Sequence, residues 1–271
     1  MILSLHSASW CAGGKTIVHE ASLAFVPGQV TAIIGPNGAG KSTVLRLASG
    51  LLPTTGGEVR LNNVPIAVLS PAHLASSRAM LTQESALRAR FTVRDLVAMG
   101  GRVSAPHMMA SARLELAGLL LERVGLGAFA ERDIMGLSGG ERQRAHLARV
   151  MMQLEAAVHD TDKQPGFLLL DEPISAQDLS RQHLVLDLAR AHARRGGGVV
   201  LVIHDLNWAA ACADRIIVVH EGRIHAEGAP EQVLTNELAS HVFGLQNGQV
   251  CRHETTGKPY ILPHNMFSNH S

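Results

Sequence analysis

Apolar and polar residues alternate through the first 25 positions, and turn signals stand at Gly13-Gly14 and Pro27-Gly28. That period-two pattern predicts a small antiparallel sheet at the start of the chain. Val30–Ile34 is a short run rich in β-branched residues, as in a buried strand, and it leads into a glycine-rich turn and a helix over about 41–49. Strand, glycine loop and helix in that order open a parallel α/β sheet. From about Phe91 to Met152 the apolar spacing becomes helical, clearest in 111–124 and 140–154, which predicts a helical sub-domain inserted into the α/β core. A polar loop at 161–166 is followed by an apolar strand, Phe167–Leu170. Alternation then resumes as a helix (about 181–195), a strand (198–203), a helix (about 206–213) and a strand (215–219). From about residue 245 polar residues, Gly and Pro predominate, and a loosely attached tail is expected. The expected organisation is one α/β domain over 1–244, with the helical insert at about 91–152, and a tail over 245–271.

Composition narrows this little further. The chain has 271 residues, 46% of them hydrophobic, enough for a large core. Its formal net charge of +1 argues against a polybasic nucleic-acid binder, and no nucleic-acid partner is expected. Cys11, Cys212 and Cys251 are scattered, so they read as reduced thiols of a cytosolic protein. The N-terminus lacks the pattern of a signal peptide. The longest apolar runs, such as 198–203, fall far short of the roughly 20 residues that span a bilayer. Any membrane role must come through a partner. The fifteen histidines are irregularly spaced and read as surface residues rather than as a metal or haem site.

Gly35-Pro36-Asn37-Gly38-Ala39-Gly40-Lys41-Ser42-Thr43 fits the phosphate-loop pattern, directly after a strand and before a helix. Glycines let backbone N–H groups converge on phosphate oxygens, and the helix dipole adds its positive end. Lys41 is placed to reach the β- and γ-phosphates, and the Ser42 hydroxyl to ligate Mg²⁺. The strand at 167–170 runs into Asp171 and Glu172, two carboxylates delivered to the C-terminal edge of the sheet, where ligand sites of such folds lie. Asp171 is positioned for the Mg²⁺ shell, Glu172 for polarising an attacking water. A third feature is Leu137-Ser138-Gly139-Gly140-Glu141-Arg142-Gln143-Arg144. Ser138 and Glu141 have capping-box spacing, and the two glycines leave N–H groups exposed at a helix start, a second anion site in the same chain.

That third segment resembles the signature motif of ATP-binding-cassette (ABC) proteins, and other matches follow in the family's order. Gln83 stands where the family places a glutamine that senses Mg²⁺ and couples to a transmembrane partner. Ser175–Asp178 resembles the loop at the dimer seam. His204 resembles the switch histidine that contacts the γ-phosphate. Trp10 stands where an aromatic stacks on adenine, with packing on the N-terminal sheet as the alternative. Ile174 and Gln177 depart from the usual threonine and leucine. The resemblance implies a P-loop NTPase fold with MgATP as ligand, in which Glu172, His204 and Gln83 act in hydrolysis and Ser42, Gln83 and Asp171 serve the metal. It also implies a homodimer in which Ser138, Gly139, Gly140 and Glu141 of one chain face the ATP held by the other. Only one phosphate loop is present and the insert between the motifs is short, which fits a transporter engine better than the translation and DNA-repair branches. Residues 70–80, 178–183, the 159–166 loop and Gly257–Pro263 resemble the haem (hemin) import ATPases of Gram-negative bacteria. Ferric-siderophore and vitamin B12 importers are the alternative. The implied partners are a separate permease dimer and, indirectly, a periplasmic haem-binding protein, with the ATPase on the cytoplasmic face of the inner membrane.

Overall fold

A computed structural model describes residues 1–82, 90–161, 164–175, 177–245 and 250–262. The N-terminal alternation becomes strands β1 (Leu3–Ala12) and β2 (Lys15–Phe25), an antiparallel pair. The phosphate loop joins β3 (Val30–Ile34) to α1 (Lys41–Ser49). Then come β4 (Gly56–Leu61), β5 (Val64–Pro65), α2 (Pro71–Ser77) and β6 (Arg78–Leu81). The helical region holds α3 (Val93–Met99), α4 (Ala110–Arg123) and α5 (Gly139–Thr161). The α/β rhythm returns with β7 (Phe167–Asp171), α6 (Leu179–Arg194), β8 (Gly198–Val202), α7 (Leu206–Cys212) and β9 (Arg215–His220). The chain continues through β10 (Arg223–Gly228), α8 (Pro230–Val233), α9 (Asn236–Phe243), β11 (Val250–Arg252) and β12 (Pro259–Ile261).

Two sheets enclose α1. The antiparallel sheet runs β2-β1-β4-β5, and the main sheet runs β10-β9-β3-β8-β7-β6, parallel except for its β10 edge. Successive side chains on a strand point to opposite faces, and the core divides accordingly. Ile33, Leu169, Val200, Val202 and Ile217 pack with α1 and the N-terminal sheet. Their neighbours Ala32, Ile34, Leu168, Leu170, Val199 and Leu201 pack with the helical region and with α6 and α7. Burial on both faces is why these strands read as continuous apolar runs.

Three features differ from the sequence expectation. Helix α5 continues past 154 to Thr161, because Ala156 and Ala157 are buried and Glu155 pairs with Arg123 at 3.3 Å and with Arg195. Strand β6 is only four residues long, too short for its alternation (Ala79 and Leu81 buried) to register. Part of the segment expected to hang loosely is docked instead. β11 and β12 form a hairpin, Asn207 of α7 exchanges two hydrogen bonds with the Ile261 backbone, and Lys258 Nζ donates to the Ala210 and Ala211 carbonyls. Those last two bonds satisfy carbonyls that the end of a helix leaves open. Among the described residues no helix is long and apolar enough to cross a membrane.

Candidate active site

The phosphate loop is shaped by where glycine is required. Gly35 has φ +149°, and a Cβ there would lie 2.0 Å from the Val219 carbonyl oxygen on β9. Gly40, at φ +102°, caps α1 and lies close to the Ile17 carbonyl. A side chain at Gly35 would therefore push the loop off the sheet edge. Lys41 is 5% exposed, and its Nζ donates to the carbonyls of Gly35 (2.9 Å) and Pro36 (2.8 Å), so its charge lies inside the loop. Burial pulls its pKa below the usual lysine value, opposed by the nearby Glu172 and Asp171 carboxylates.

Asp171 ends β7, fully buried. Its Oδ1 accepts from Ser42 Oγ at 2.7 Å, while Oδ2 has no hydrogen-bond partner and lies 3.8 Å from Arg46. Burial raises its pKa, with the Ser42 bond and Arg46 pulling the other way. A buried carboxylate oxygen without a donor, beside a serine hydroxyl and facing a phosphate loop, is a hard-oxygen set of the kind Mg²⁺ uses when phosphates complete its shell. These residues fit the ion. No cluster of three or more His, Cys, Asp or Glu among the described residues could hold a metal by itself.

Glu172 has φ +51°, so the chain leaves β7 through a left-handed step. That conformation costs a non-glycine residue on the order of 1 kcal/mol and tends to mark functional positions. Here it accompanies a contact across the strand ends, with Glu172 Oε1 lying 2.6 Å from His204 Nε2, 32 residues away. Because β7 and β8 are neighbours, the loops that follow them emerge side by side. Ile17, Asn37, Gly38, Ala39, Gly40, Lys41, Ser42, Thr43, Glu172 and His204 surround one pocket of about 480 Å³.

The second predicted anion site is built from a reciprocal cap. Ser138 N–H and Oγ–H both donate to Glu141 Oε2 (2.8 and 2.7 Å), and Glu141 N–H returns a bond to Ser138 Oγ at 3.3 Å. These bonds, that from the Ser138 hydroxyl first, hold the Glu141 carboxyl below its usual pKa. Gly139 and Gly140 lie in the opening turn of α5, and Gly139 is exposed.

Not every expected residue joins the pocket. Trp10 is partly buried on β1, paired with Val18 and packed against the N-terminal core, and it is absent from the pocket lining. Gln83 lies outside the described residues. The histidines are not all at the surface: His146 and His192 are 3% and 2% exposed. Arg46 and Gln143 were not expected to take part. Arg46 stands near Asp171, and Gln143 Nε2 donates to the Glu172 carbonyl at 2.9 Å. Only the helical spacing that puts Arg46 one turn after Ser42 on α1 could have pointed to the first. Gln143 lies inside the capped segment at the start of α5, but nothing in the sequence marks its contact with Glu172.

The ABC transporter family profile matches residues 18–175. The chain is 44% identical over 262 residues to the hemin import ATP-binding protein HmuV of Rhodopseudomonas palustris strain HaA2, covering 96% of this chain and 97% of that one. It is 43% identical over 250 residues to the protein of the same name from Rhizobium meliloti strain 1021, covering 92% and 94%. Among solved structures, it is similar to a dimeric post-hydrolysis ATP-binding cassette bound to ADP and Pi, with a TM-score of 0.73 and 26% identity over 84% of this chain and 98% of that one.

Proposed function

Because this chain belongs to the ABC transporter family, as an ATP-hydrolysing cassette, we propose that it powers haem uptake through a separate membrane permease. The observation that carries the ATPase half is the pocket lined by the Lys41 loop, Ser42 and the Glu172–His204 pair, with Asp171 buried behind Ser42 and accepting from its hydroxyl. The haem half is supported by identity of 40–44% to hemin import ATP-binding proteins along nearly the whole chain.

In this reading the loop N–H groups and Lys41 hold the phosphates of ATP, and Lys41 exchanges its two carbonyl partners for phosphate oxygens. Ser42, Asp171 and Gln83 hold Mg²⁺, which when bound neutralises charge on those oxygens. Glu172 takes a proton from the attacking water as its oxygen bonds to the γ-phosphorus and the bond to the leaving ADP oxygen breaks. His204 fixes the Glu172 carboxylate and reaches the γ-phosphate. Ser138 and the N–H groups of Gly139 and Gly140 serve the ATP of a second copy, and the dimeric cassette with ADP and Pi supports that arrangement. The dimer sits on the cytoplasmic face of the membrane against a permease dimer, which a periplasmic haem-binding protein supplies.

The test is ATP turnover and cargo uptake in proteoliposomes containing the permease, with haem, cobalamin and a ferric siderophore offered in turn through their binding proteins. Haem uptake dependent on ATP is expected. Uptake of either competitor with none of haem would overturn the cargo, and absence of ATP hydrolysis would overturn the engine.

A further inference from the structure

We propose that Gln177 is a positioning residue for Glu172, acting through Gln143; this deepens the ATPase reading and rests on it. Four groups form one directed chain. Arg144 Nη1 donates to Gln177 Oε1 at 3.3 Å, Gln177 Nε2 donates to Gln143 Oε1 at 3.2 Å, and Gln143 Nε2 donates to the Glu172 carbonyl at 2.9 Å.

Chemistry forces the direction at each link. A guanidinium can only donate, so the Gln177 atom facing it must be the amide oxygen. Its NH₂ group then faces Gln143, which must present its own oxygen there. That leaves the Gln143 NH₂ for a backbone carbonyl, which can only accept. Neither amide can flip without setting donor against donor or acceptor against acceptor.

Both ends are anchored. Arg144 is 7% exposed, and its Nε donates to the Val124 carbonyl at 3.1 Å. At the other end stands the residue with the left-handed backbone, whose carbonyl also accepts from Ser175 Oγ at 3.1 Å. Gln177 is held in turn by Gln182, whose Nε2 donates to its carbonyl at 3.1 Å while the Trp208 indole donates to Gln182 Oε1 at 2.8 Å. The relay thus ties the first turns of α5, just past the second anion site, to the backbone that aims the Glu172 carboxylate. A leucine at 177, the residue usual in the family, could carry none of it.

The experiment measures kcat, KM and equilibrium ATP binding for Gln177→Leu, Gln177→Glu, Gln143→Leu and the Gln143→Leu/Gln177→Leu pair, each checked by thermal melting. Gln177→Glu keeps an acceptor for Arg144 but loses the donor to Gln143, which separates folding from alignment. Each single change should lower kcat about two- to tenfold, the scale of one net hydrogen bond, with KM and ATP affinity within about twofold. The pair should be no slower than its slower member, as for residues acting in one network. Unchanged kcat in folded Gln177→Glu, or rate losses that multiply in the pair, would overturn the positioning role. A parent chain without ATP turnover would sink the ATPase reading and this proposal together.

Discussion

Acid should loosen the protein around α5, the helix that carries the proposed second anion site, and His146 sets the size of the effect. This residue lies in α5, 3% exposed, and neither ring nitrogen has a hydrogen-bond partner. Burial, reinforced by the charges of Arg149 and Arg142, pushes its pKa from 6.5 down to about 4. The unfolded chain therefore binds a proton between pH 6.5 and 4 that the folded chain refuses. With more protons bound in the unfolded state, stability rises with pH across that window and is lost as pH falls. At 1.36 kcal/mol per pH unit, the full difference is about 3 kcal/mol, of which about 2.5 kcal/mol should be gone by pH 4.5. That is a sizeable part of the 5–15 kcal/mol by which domains are typically stable. The assay is urea unfolding at several pH values between 7.5 and 4.5 for the parent chain and for His146→Leu. Only the difference between the two curves counts, because Asp171 and other carboxylates titrate in both proteins. The leucine variant should lose about 2.5 kcal/mol less over that range. Parallel curves would refute the assignment of the acid response to this buried ring.

Glu172→Gln should keep ATP binding and lower turnover by about 10²- to 10⁴-fold, the usual weight of a general base; hydrolysis at the parent rate would remove Glu172 from that role. Gly35→Ala and Gly38→Ala separate collision from backbone strain. Both positions have positive φ, but only at Gly35 would a methyl group meet a backbone carbonyl. Gly38→Ala should therefore cost about 1–2 kcal/mol, Gly35→Ala clearly more, and equal losses in urea melts would contradict the geometry. Trp10→Ala should weaken ATP affinity about three- to tenfold if the indole stacks on adenine; an unchanged affinity in titration of the folded variant assigns Trp10 to packing alone.

What could be read in advance was whatever chemistry forces into a local pattern. A phosphate loop must have glycines where backbone meets backbone, so residues 35–43 announced themselves, and the capped start of α5 followed from Ser138 and Glu141. The main strands were legible because burial on both faces leaves short runs of almost wholly apolar residues. The hidden parts are those in which distant segments meet through a few polar atoms. Asn207 and Lys258 dock the terminal hairpin with hydrogen bonds that leave no periodic trace. Gln177 stood out in sequence as a departure from leucine, but its partner Gln143 appears only when α5 comes to lie beside the loop after β7. His146 looks like a surface histidine because one imidazole hardly disturbs the apolar stripe of a long helix.

The strand order also has a consequence for how the protein is made. β3 is fully buried, and among the described strands it pairs with β8 and β9 alone. The ribosome completes β3 about 170 residues before it completes either neighbour, which at about 5–20 residues per second is roughly 8–34 s of synthesis. Over that interval β1, β2 and β4 can already pair with one another, whereas the strand that carries the phosphate loop has no edge to join. The nucleotide pocket is thus among the last parts of the molecule to close, and the nascent chain must keep a bare, sticky edge out of reach of its neighbours until its last third has emerged.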